Sequence, residues 1–124
     1  MLAVSEVSVL ADDVVTLPVD EVAKQLSLAV SRVHQLVRDG QLLSLRRGSE
    51  VVVPADFLET GGGRAAVVKG LPGTITVLRD GGYVDADILR WLFAEDDSLP
   101  GTPMASLRAG RHREVKRRAQ AMAF

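Results

Sequence analysis

The chain has 124 residues, 47% hydrophobic and 25% charged, the make-up of a soluble globular protein with room for one domain or two very small ones. It has no Cys, so disulfides, thiolate metal sites and Cys nucleophiles are excluded. Net charge is −1, which argues against a wholly basic coat protein, yet Glu6, Asp12, Asp13, Asp20 and Glu21 gather at the start and Arg111, Arg113, Lys116, Arg117 and Arg118 at the end.

Residues 1–16 carry irregular apolar spacing and several acids and read as a flexible acidic tail or a loosely docked strand. No secretory pattern and no apolar run of membrane-spanning length is visible, so a cytoplasmic location without membrane contact is expected. Ser5, Ser8 and Thr16 would be open to a Ser/Thr kinase if this tail is mobile, and added phosphate would repel a polyanionic partner by like charge.

A domain over residues 17–60 begins with Pro18 at a helix entry, followed by Val19, Val22, Ala23 and Leu26 on one helical face. After the short turn Ser27, Leu28, Ala29, the run from Val30 to Arg38 predicts a second helix. Val30, Val33, Leu36 and Val37 fall on one side of it and Ser31, His34, Gln35 and Arg38 on the other, with Arg32 at the rim. Asp39 and Gly40 end it. Leu43–Arg46 and Val51–Val53, separated by Arg47, Gly48, Ser49 and Glu50, predict a two-stranded hairpin, and Val53 to Leu58 a strand end running into a short helix with Pro in its first turn.

Gly61, Gly62 and Gly63 break regular structure and predict a linker over residues 61–68. Residues 69–124 read as a small helical domain, so the fold class expected is mainly α: a winged helix-turn-helix with a two-stranded wing plus a helical C-terminal domain. Its helices are Pro72 to Asp80, a second N-capped by Asp85 with Val84 and Leu89 as a hydrophobic staple, a third capped by Thr102, and a last one reaching about Met122. Trp91 and Phe93 read as core or dimer contacts, and the acids Glu95, Asp96 and Asp97 as a solvated loop.

Two helices joined by a tight turn and followed by a hairpin form a device that docks on double-stranded DNA, the second helix entering the major groove. Gln35 has the atoms to pair with adenine and Arg38 with guanine, Ser31, Arg32 and His34 can reach bases or phosphates, and Arg46 and Arg47 of the wing would meet the backbone. Lys24, Arg113, Lys116 and Arg117 are candidates for further phosphate contacts; for the last helix a solvated face is an equal reading. The bland alternative for the second helix is the wet side of an ordinary amphipathic helix. No HExxH, GxSxG or Gly-Lys-Ser loop is present, so no enzyme, no cofactor and no metal site is expected.

The stretch LPVDEVAKQLSLAVSRVHQLVRDGQLLSLRRGSEVVVPADFL resembles the winged helix-turn-helix of the MerR and excisionase type. Together VKGLPGTITVLRDGGY, ILRWLF, DDSLPGTP and REVKRRAQAMAF resemble an actinobacterial family of small DNA-binding regulatory proteins known from mycobacteria. This second resemblance implies DNA binding by the N-terminal half and a family-specific helical C-terminal domain. Ser27 stands where the turn often has Gly, and Ala29 where the second helix often has a Ser or Thr cap. A weaker likeness of WLF, LPGTP and the final helix to toxin-binding domains of antitoxins keeps open a protein-interaction adaptor. A homodimer on paired half-sites is a candidate assembly, though no heptad seam is visible.

Overall fold

The computed structural model describes residues 10–123; Ser5 and Ser8 lie outside them. Five strands and six helices follow in chain order, with helices dominating. The strands are β1 (Thr16–Pro18), β2 (Leu45–Arg47), β3 (Glu50–Pro54), β4 (Leu58–Gly61) and β5 (Arg64–Val67). The helices are α1 (Val19–Leu26), α2 (Val30–Arg38), α3 (Leu71–Asp80), α4 (Asp85–Leu92), α5 (Pro103–Arg108) and α6 (His112–Met122).

The wing is a three-stranded antiparallel sheet in the order β1-β3-β2, not a bare hairpin. Thr16 pairs with Pro54 and Pro18 with Val52, so the expected tail boundary at residue 16 falls inside a strand, and Thr16 is half-buried there rather than on a mobile segment. Docking continues upstream: Leu10 is buried, and Arg47 donates from Nη1 to the carbonyl of Val14 at 2.8 Å and from Nη2 to that of Ala11 at 2.6 Å. The β2–β3 loop is Gly48–Ser49, with Gly48 at φ +63° and Ser49 not in the positive region, the pattern of a type II′ hairpin turn.

Residues expected to be a linker form a second hairpin. Glu59 pairs with Ala66 and Gly61 with Arg64, leaving Gly62 and Gly63 as a two-residue loop at φ +62° and +81°. Two consecutive positive φ angles are what a type I′ turn demands, and Gly-Gly supplies them without strain. The three glycines therefore turn the chain instead of loosening it. Between the two hairpins, Ala55–Phe57 is one 3-10 turn in place of the expected short helix, and Pro54 closes the strand before it.

The two halves share one core. Val22, Val33, Val53 and Phe57 are buried in the same cluster as Leu71, Ile75, Leu89, Leu107 and Val115. Each large buried side chain contributes roughly 1.5–3 kcal/mol of transfer free energy. Phe57 stacks on Phe93 across the boundary with ring centroids 6.0 Å apart. Arg108 of α5 donates from Nη1 to the carbonyls of Asp56 and Leu58 at 2.9 and 2.8 Å, fastening the C-terminal half to the end of the winged half. These contacts replace the expected flexible connection.

Within the C-terminal half, α3 and α6 run side by side in the same direction: a Cβ on Gly70, before α3, would meet His112 at the start of α6, and one on Gly81 would meet Ala123 after its end. The β-branched run Thr74, Ile75, Thr76, Val77 is helical because Ile75 and Leu78 are buried and the Thr74 hydroxyl donates to the Gly70 carbonyl at 2.8 Å. Thr102 caps α5, its hydroxyl accepting from the Ala105 N–H at 3.0 Å. Asp85 does not cap α4. Val84 occupies the cap position and is 61% exposed, so there is no staple, and the Asp85 carboxylate instead takes both Nε and Nη2 of Arg79 at 2.9 and 2.8 Å. That pairing holds the Arg79 guanidinium further above its ordinary pKa, chiefly through the hydrogen bond to Asp85.

Asp96 is a second departure from expectation. Its side chain is only 8% exposed, and its carboxylate accepts from Trp91 Nε1 (3.0 Å), Ser98 N (2.9 Å), Ser98 Oγ (2.6 Å) and Arg118 Nε (3.1 Å). The loop read as solvated thus has a hydrogen-bonded hub that ties α4 to α6. These donors, Ser98 and Trp91 foremost, hold the carboxyl well below the usual carboxylate range.

Candidate nucleic-acid interface

The helix-turn-helix is α1, the three residues Ser27, Leu28 and Ala29, and α2. The turn reverses the chain through Ser27, the single non-glycine residue with positive φ (59°) among those described, and the Leu28 N–H returns to the Ala23 carbonyl at 2.9 Å. Ala29 then stands at the cap of α2 with no side-chain acceptor for the first-turn N–H groups. Both positions are suboptimal for local stability. Ser27→Gly and Ala29→Ser are each expected to raise stability by about 0.5–1 kcal/mol, read as a shift of the urea midpoint at unchanged slope. A lowered midpoint for Ser27→Gly would mean that its hydroxyl has a partner of greater value than the relieved backbone strain.

Of the nine residues of α2, Val33 is fully buried, and Leu36 and Val37 are partly covered. Ser31, Arg32, His34, Gln35 and Arg38 are all exposed. The structure brings these five together on one face of a single helix. Val30 departs from the expected pattern: at 43% exposure it lies at the edge of that polar face instead of in the core. Its place in the first turn, next to the HTH turn, keeps it outside the packing that covers Val33.

The chain just past α2 meets the C-terminal half. Gly40, just past the helix at φ +78°, is buried, and a Cβ there would lie 3.0 Å from Arg79 Nη1 and 3.8 Å from Ile75 Cγ2. Arg79, held by Asp85, therefore packs against the turn that follows α2, a contact with no signature in local sequence.

In the wing the two arginines separate. Arg46 is exposed, whereas Arg47 is half-buried and spends its guanidinium on the carbonyls of Ala11 and Val14. Arg47 thus secures the N-terminal segment to the sheet, its guanidinium engaged away from the phosphate contact expected of it, while Arg46 remains exposed. Lys24 on α1 and Arg113, Lys116 and Arg117 on α6 are exposed. Arg118, by contrast, is tied to Asp96. Among the described residues there is no group of three or more His, Cys, Asp or Glu placed to hold a metal ion, and no helix long and apolar enough to cross a membrane.

Comparison with known proteins matches two segments of the chain. A family model described as the winged helix-turn-helix domain of DNA-binding protein Rv2175c matches residues 5–58, and one described as the Rv2175c C-terminal domain of unknown function matches residues 68–123. The chain belongs to the Rv2175c family. A relative in Mycobacterium tuberculosis (strain ATCC 25618 / H37Rv), named DNA-binding protein Rv2175c, is 44% identical over 128 residues, covering 94% of this chain and 86% of that protein. The NMR structure of Rv2175c matches with a TM-score of 0.81 at 43% identity, over 93% of this chain and 85% of the other. The mycobacterial resemblance read in the sequence is therefore correct, as is a winged helix-turn-helix with a helical C-terminal part. Residues 59–67, which include most of the β4–β5 hairpin, lie between the two matched segments of the Rv2175c family and belong to neither.

Proposed function

We propose that this chain binds double-stranded DNA and acts as a transcriptional regulator, with α2 in the major groove. The observation that carries this reading is the split of α2: Val33 is 0% exposed, while Ser31, Arg32, His34, Gln35 and Arg38 stand exposed on the opposite side of a helix held in a helix-turn-helix. A helix of nine residues is about 13 Å long, comparable to the roughly 12 Å width of the groove it would enter. Membership of a family whose winged domain is described as part of a DNA-binding protein points the same way.

Gln35 and Arg38 are the base readers under this proposal, by bidentate pairing with adenine and guanine edges, and the exposed Val30 is suited to contact a thymine methyl group. Arg32, Arg46 and Lys24 serve the backbone. With roughly three to five phosphates neutralised, log affinity should fall against log salt with a slope of about −3 to −4.5. Selection of bound duplexes from a random pool should return a defined consensus, and Arg38→Ala should then weaken binding to it by about 1–3 kcal/mol and relax one base position. Recovery of no enriched sequence, together with no duplex bound at low salt, would refute the proposal.

A further inference from the structure

The β4–β5 hairpin lies beside the surface just assigned to DNA. Leu26 and Ser27 at the end of α1, Gln25 before them, and Gly63, Arg64, Ala65 and Ala66 of the hairpin line one cleft of about 440 Å³. Ser27 is the pivot of the HTH turn, and three residues later Val30 opens α2, a span of at most about 10 Å. The hairpin loop thus lies across this cleft from the turn that leads into α2.

Its own chemistry suits a polyanion. Gly62 and Gly63 have nothing within 4 Å of a built Cβ, so the loop projects into open space and presents bare backbone. Arg64 follows at once, exposed, with no hydrogen bond or ion pair among the described residues, unlike Arg47, Arg79, Arg90, Arg108 and Arg118. Among the acids on α1 and β4, Glu21 accepts from the amide of Gln25 at 3.0 Å, and Glu59 sits opposite Ala66, not Arg64.

We infer that the β4–β5 hairpin is a second wing, in which Arg64 and the Gly62–Gly63 tip grip the phosphodiester backbone that borders the groove entered by α2. This inference rests on the DNA-binding reading. It assigns a backbone contact, which positions the protein without reading sequence. Two hairpins, one carrying Arg46 and the other Arg64, then flank one recognition helix.

The test is a fluorescence-anisotropy titration of the full chain, against the selected duplex and an unrelated mixed-sequence duplex, over a range of salt. Arg64→Ala is expected to weaken binding roughly 3- to 10-fold at about 0.1 M salt, equally on both duplexes, and to make the salt slope shallower by about 0.9, while Arg64→Lys keeps the wild-type slope. Equal slopes for the Ala and Lys variants, or a loss confined to one duplex, would overturn the second wing while leaving the α2 reading intact. Failure of the wild-type chain to bind either duplex would instead overturn the α2 reading, and this inference with it.

Discussion

Gly70→Ala is expected to destabilise the protein by about 3–5 kcal/mol, lowering the melting temperature by roughly 10–20 °C. Two separate costs add. Gly70 sits at φ +89°, where an L side chain is strained by about 1–2 kcal/mol, and a Cβ there would lie 2.3 Å from His112 Cβ and 3.2 Å from Leu107 Cδ2. The first of these distances is far inside van der Waals contact and involves the stiff stem of His112, so α6 must move away from the start of α3. That movement disturbs the buried Leu71, Ile75 and Val115 together. Pairing the change with His112→Gly should return the share due to the clash and leave the share due to backbone strain, so the double-mutant cycle apportions the two. A melting temperature for Gly70→Ala within a few degrees of wild type would show that the helix pair is far more yielding than its packing implies.

Asp96→Asn should cost about 2–3 kcal/mol at neutral pH, because an amide oxygen replaces a carboxylate that accepts from Trp91, Ser98 and Arg118, and its NH2 group is aimed at donors. The sign of its pH dependence is set by the depressed carboxyl. Unfolded, Asp96 titrates near the ordinary value of about 3.9, and folded it titrates well below that, so its stabilisation is complete above about pH 4 and is lost as pH falls from there toward the folded value. The stability gap between wild type and Asp96→Asn is therefore expected to be constant from about pH 7 to 5 and to narrow below pH 4. Trp91, the single tryptophan of the chain and a direct partner of Asp96, reports both unfolding curves by its fluorescence. A gap that stayed the same down to pH 2 would assign the effect to shape and not to the charge.

Both changes lie in the C-terminal half, which packs against the winged half. Gly40 at the end of α2 is seated on Arg79 and Ile75, and Arg108 holds the carbonyls of Asp56 and Leu58. Loosening α3 or α5 would release the turn after α2 and the segment that follows the first sheet without touching any polar residue of α2. This gives the helical half a physical role as a backstop for the winged half.

Periodicity and punctuation in the amino-acid sequence were enough to place α1, α2, the first hairpin, the cap at Thr102 and the polar face of Ser31, Arg32, His34, Gln35 and Arg38, because each is decided by residues within one or two turns of one another. The unusual residues Ser27 and Ala29 stood out against the resembled motif, and the structure adds the positive φ at the first and the missing side-chain cap at the second. The three glycines read in sequence as a linker, and only the pairing of Leu58–Gly61 with Arg64–Val67 makes Gly62–Gly63 a hairpin turn. What only the packed chain decided were pairings across long stretches of sequence: β1 on β3, Arg47 on Ala11 and Val14, Arg108 on Asp56 and Leu58, Asp96 on Arg118, and Gly70 against His112. A charged or glycine residue looks the same in sequence whether it faces water or a distant carbonyl. Its burial is set by which surfaces the core brings together, and that is a property of the whole fold.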